Sequence, residues 1–66
     1  MAGNTRGKLK EHLEGTHRNF DWVIEHCAKS LNLIGDANPV LTEVITKLAE
    51  ATQILDSLAQ DIYAKL

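Results

Sequence analysis

The sequence predicts an all-α fold: a short N-terminal helix followed by an antiparallel helical hairpin that oligomerises into a helical bundle. Three observations predict it. Apolar or small residues recur at alternating steps of four and three from Leu41 to Leu66, the spacing of a helical seam. The middle of the chain is punctuated once, at Gly35-Asp36-Ala37-Asn38-Pro39, which holds its only proline. The apolar stripe that follows is too wide for one facing helix to cover.

The first element is expected over about residues 6–14, because glycine at Gly15 weakens a helix interior and Thr16 can cap a new start. A longer helix then runs over about residues 17–34, its apolar face built from Phe20, Ile24, Cys27, Leu31 and Ile34 and broadened by Val23. Leu9 and Leu13 could extend that face upstream. Gly35 suits the position just past a helix end, and Asn38-Pro39 suits an N-cap followed by the first helical residue. A loop of about four or five residues makes the flanking helices antiparallel neighbours.

The last helix is expected over about residues 39–65, with a seam of Leu41, Ile45, Leu48, Thr52, Leu55, Ala59, Ile62 and Leu66. At about 100° per residue, Val40, Val44, Ala51, Ile54 and Leu58 widen the stripe to roughly half the circumference. The surplus marks an oligomer interface, assigned to Val44, Ala51, Ile54 and Leu58, with Leu33 on the other helix. A chain of 66 residues needs such help. Small cores are marginal without disulfides, metals or partner chains, and a lone cysteine excludes an internal disulfide.

Composition narrows the class. The chain is 44% hydrophobic and 24% charged, too apolar for a disordered segment, yet it has no run long enough to span a membrane. Its N-terminal stretch lacks the apolar core of a signal peptide, and an unpaired cysteine fits a reducing cytoplasm, so a soluble cytoplasmic protein is expected. Charge is uneven. Up to residue 18, Arg6, Lys8, Lys10 and Arg18 stand against Glu11 and Glu14, a net +2, and the remainder carries −4. Four cations are few for duplex nucleic acid, where affinity grows with each phosphate neutralised.

Trp22 lies about 160–200° from the Phe20–Ile24–Cys27–Leu31 face, pointing away from the hairpin. Arg18, Glu25, His26, Lys29 and Leu33 share its side. An outward indole among cations can stack on a base while Arg and Lys meet phosphate, or it can anchor a subunit interface. Cys27 sits in the apolar stripe and reads as a small hydrophobe. His12 and His17 are five apart and His26 stands alone, so no zinc spacing is present and no metal or cofactor is expected. Glu43, Glu50, Asp56 and Asp61 spread along the polar side of the last helix as a solvated surface, and no nucleophile–base constellation occurs. Folding back about residue 37 brings Tyr63 towards Lys8, Lys10 and His12.

Thr46-Lys47-Leu48-Ala49-Glu50-Ala51, behind a loop and an apolar helix of matching length, resembles the helical-hairpin domain of phage anti-CBASS sponges. The resemblance implies a short N-terminal helix before a hairpin, compact oligomers, and sequestration of a cyclic di- or trinucleotide immune signal in pockets between protomers. That family carries a tryptophan and an arginine after this motif. Ile54 to Asp61 holds neither, with Asp61 about where the arginine would stand. A comparable pocket here would draw charge from Arg18, Lys29 and Lys47 and stacking from Trp22 or Phe20.

Three functions are therefore expected to compete, none of them enzymatic. The first is an oligomeric sponge for a cyclic nucleotide. The second is a protein-interaction module, an inhibitor or assembly adaptor that offers its surplus apolar face to another protein. The third is a bundle binding RNA through its basic end.

Overall fold

A computed structural model describes residues 4–66 of the chain, and within them the protein is a pair of helices with no strand. Helix α1 spans Asn4–Ile34 and α2 spans Pro39–Ala64, packed side by side in a rod with extents of 54 × 15 × 11 Å. Leu13 and His17 lie level with Ala59 and Gln60, and Glu14 reaches Tyr63, so the helices run antiparallel.

The reversal follows from its residues. Gly35 takes φ +56°, a left-handed conformation open to glycine at little cost, and its N–H donates to the Leu31 carbonyl at 3.0 Å. Asn38 then caps α2: its side-chain oxygen accepts the Leu41 N–H at 3.1 Å, with Pro39 supplying a preset first turn.

The separate N-terminal helix expected before Gly15 does not exist. Residues 4–34 form one continuous helix through Gly15-Thr16. Thr16 does not cap a new start; its hydroxyl donates to the His12 carbonyl at 2.8 Å, one turn back. A helical glycine costs about 1 kcal/mol, and contacts with α2 on both sides of Gly15, from Lys10 to Phe20, outweigh it.

The seam between the helices also differs from expectation. On α1 it runs through Leu13, His17, Phe20, Ile24, Cys27, Leu31 and Ile34, all at least half-buried, which extends the expected face downward. On α2 the expected Ile45, Thr52 and Ala59 do turn inward, but their companions are Ala49 and Asp56. Small side chains let the backbones approach, and the Thr52 hydroxyl is satisfied by the Leu48 carbonyl at 2.8 Å. Four members of the expected α2 seam, Leu41, Leu48, Leu55 and Ile62, lie one position round the helix and remain about half exposed, at 47–52%.

The consequence is a hairpin with almost no core. Among the described residues the buried apolar side chains are Cys27 and Ala59, and none is fully enclosed. Completing the burial of one half-exposed leucine is worth about 1 kcal/mol, half of a full side-chain transfer. The largest reserve of stability therefore lies outside the hairpin's own seam.

Candidate functional site

Helix geometry sorts the flanks of the seam onto two broad faces. Glu14, Asp21, Gln53 and Gln60 border it on one side. Leu9, Thr16 and Val23 of α1, with Leu41, Leu48, Leu55 and Ile62 of α2, border it on the other. One face is polar and the opposite face is apolar. Val44, Ala51 and Leu58 continue the apolar face around the outer edge of α2, with Val44 57% and Leu58 55% exposed.

On the polar face, His17 forms a clasp between the helices. Its Nδ1 lies 2.8 and 2.9 Å from the two carboxylate oxygens of Asp56, and its Nε2 lies 3.3 Å from Asp21. Asp56 is nearly enclosed, with 12% of its side chain exposed, and also accepts from Gln60 at 3.0 Å. The ring, protonated, donates from Nδ1 to Asp56 and forms an ion pair with Asp21 at its other edge. Its pKa is raised, first by the hydrogen bond to Asp56, then by the charges of Asp21 and Asp56, against weaker opposition from burial and Arg18. Asp56 is thus not part of a solvated acidic surface, as its sequence position implied; it is the inter-helix partner of a histidine.

His17, Asp21 and Asp56 bring one donor atom each within 4.8 Å of one another, a spacing compatible with a cation. The two carboxylates approach opposite edges of the imidazole, however. An ion on Nδ1 would break its hydrogen bond to Asp56, and one on Nε2 would displace the ion pair with Asp21, so the geometry suits a protonated ring better.

Towards the open end, the Tyr63 hydroxyl donates to Glu14 at 3.0 Å, and Lys10 sits 5.4 Å from the centre of its ring. The hydrogen bond to the Glu14 carboxylate, and then that group's charge, raise the phenol's pKa. Leu13, Glu14, His17, Ala59, Gln60 and Tyr63 line an open depression of about 270 Å³ there. Tyr63 therefore closes the polar face beside Lys10, while its hydroxyl is committed to an acid.

The residues assigned to nucleotide binding are dispersed. Arg18 and Trp22, one turn apart, line a shallow depression with Asn19 and Asp21 on the outer side of α1, where Trp22 is 68% exposed. Phe20 lies in the seam facing α2, on the opposite side of α1 from Trp22. Lys29 shares the Trp22 side but pairs with Glu25 at 3.3 Å. Lys47 is on α2, paired with Glu43 at 3.2 Å. Within one chain, only Arg18 and Trp22 come together.

Among residues assigned to an interface, Val44, Ala51 and Leu58 share the apolar edge of α2. Ile54, 62% exposed, is further round the same helix. Leu33, 90% exposed, lies on the back of α1 with Trp22, away from that edge. The sequence reading missed the His17–Asp56 clasp. A signal for it was present: stepping back three residues from Phe20 along the seam reaches His17, and the hairpin register places residue 17 opposite about residue 56.

Among the described residues no helix is long and apolar enough to cross a membrane. Compared with family models, with curated proteins and with solved structures, the chain matches none.

Proposed function

We propose that this protein is a non-enzymatic helical-hairpin interaction module whose apolar broad face docks against other helices. One observation carries the reading. The α2 residues Leu41, Val44, Leu48, Leu55, Leu58 and Ile62 form a heptad-spaced row that the hairpin leaves 47–57% exposed. A row of half-exposed apolar side chains of this kind marks an interaction site. The polar face, with its clasp, holds the two helices in register so that the opposite face is presented as one surface.

The test combines sedimentation with binding of a dye that reports exposed apolar surface. The module either associates or, when kept apart by dilution, binds the dye. A folded monomer that does neither would sink the reading. Leu48→Ser with Leu55→Ser should abolish association and dye binding.

A second reading is sequestration of a cyclic di- or trinucleotide between protomers, and it is supported by Arg18 and Trp22 lining one depression. The indole would stack on a base and the guanidinium would meet a phosphate. Saturation at about 100 times Kd adds about 2.7 kcal/mol of stability, so a thermal-shift series across cyclic di- and trinucleotides is a direct check. No shift with any of them would remove this reading and leave the first untouched.

A further inference from the structure

We infer that the occupant of the apolar face is a second copy of this chain, seated antiparallel across a two-fold axis near Ala51 to complete a four-helix bundle; this rests on the interaction-module reading above.

Two observations choose the partner and its direction. The first is the size pattern of the exposed α2 row, which reads the same from either end. Ala51 stands at its middle. Leu48 and Leu55 flank it, then Val44 and Leu58, then Leu41 and Ile62. A row that is palindromic in bulk is complementary to itself when one copy is reversed. The small central alanine lets the two α2 helices come close where the axis crosses them.

The second is the charge of the two ends. The half of the rod away from the loop carries Arg6, Lys8, Lys10, Arg18 and Lys65 against Glu11, Glu14, Asp56 and Asp61, a net +1. The loop half carries Lys29 and Lys47 against Asp21, Glu25, Asp36, Glu43 and Glu50, a net −3. Antiparallel seating lays the basic end of each copy beside the acidic loop end of the other. Parallel seating stacks two acidic ends together, and such like-charge juxtaposition selects against that orientation.

The hairpin's own economy agrees. Among the described residues only Cys27 and Ala59 are nearly enclosed apolar side chains, while Phe20, Ile24, Leu31 and Ile34 stay partly open, a thin core for so small a fold. Dimerisation across α2 adds the missing layer and leaves the His17 clasp on the outer surface of each half.

The experiment uses the full chain. Native mass spectrometry and sedimentation at micromolar concentration should give twice the 7.3 kDa chain mass. Spin labels on Lys8→Cys read the direction, and Cys27, only 4% exposed, is labelled slowly enough to serve as its own control in the unmodified chain. At 1.5 Å per residue, antiparallel copies hold the labels about 40 Å apart, and parallel copies within about 25 Å. Ala51→Glu should weaken the dimer by at least about 100-fold, because it buries two facing carboxylates at the axis. Gln53→Glu, the same charge on the polar flank, should leave the dimer intact.

A dimer with short label separations overturns the proposal, as does a trimer, or a dimer indifferent to Ala51→Glu. A folded monomer that binds the apolar dye overturns it too, while leaving the interaction module in need of a different partner. A folded monomer without dye binding overturns both. Loss of helix together with the dimer in Ala51→Glu, but not in Gln53→Glu, supports the proposal, since it shows the hairpin leaning on its copy.

Discussion

His17 stands where a heptad seam asks for an apolar side chain, and it is accommodated because Asp56 meets it from the other helix at 2.8 Å. The linkage has a definite sign. The folded state holds the proton more tightly than the unfolded chain, whose imidazole titrates near its ordinary value of 6.5. The clasp therefore contributes fully below that value and is lost as pH rises through the raised folded pKa. Urea midpoints should fall across this window above pH 6.5, and His17→Gln should flatten the fall. A midpoint that stayed level or rose would refute the assignment of a protonated ring. Asp56→Ala should cost more than the removal of an exposed acid such as Asp61, because it strands a hydrogen-bonded imidazole and Gln60 together.

At the scale of the element, α1 persists through a glycine that its local sequence would use as a break. Tertiary pairing along α2 overrides propensity there, which yields a clean prediction. A Cβ at Gly15 would meet the Arg18 guanidinium at 3.7 Å, an ordinary contact with a flexible group. Gly15→Ala should then raise stability by about 0.5–1 kcal/mol, seen as a higher melting temperature. A drop would mean that the helix is broken at that point in solution. The same reasoning runs the other way at the turn. Asn38→Ala removes the acceptor for the Leu41 N–H and should cost about 1 kcal/mol, measured by chemical denaturation.

For the whole molecule, the division into a polar and an apolar broad face makes stability a property of the assembly. Anything that binds the folded state raises its apparent stability by mass action. The melting temperature should therefore climb with protein concentration, and a melting point independent of concentration over a hundredfold range would contradict association. Leu48→Ser should remove that dependence although Leu48 is 52% exposed in the hairpin. Surface substitutions elsewhere normally change stability within about 0.5 kcal/mol.

Periodicity and punctuation were sufficient for the class of fold. Gly35 and Asn38-Pro39 announce a turn because left-handed backbone, capping and a missing N–H are properties of single residues. The α1 face from Phe20 to Ile34 was legible because its apolar residues have one possible use. On α2 the same logic was ambiguous. Ile45, Thr52 and Ala59 turn inward as the seam requires, but Leu41, Leu48, Leu55 and Ile62 look like better apolar companions for them than Ala49 and Asp56, and hydrophobicity alone assigns that better row to the nearer helix. Packing chose otherwise, since backbones close on small side chains and a charge pair reaches across only when both partners share one level. Which of two adjacent rows faces inward, and therefore which face is left for a partner, depends on the relative rotation of two helices. That rotation is a tertiary quantity, set by contacts between residues far apart in the chain, and no local pattern contains it.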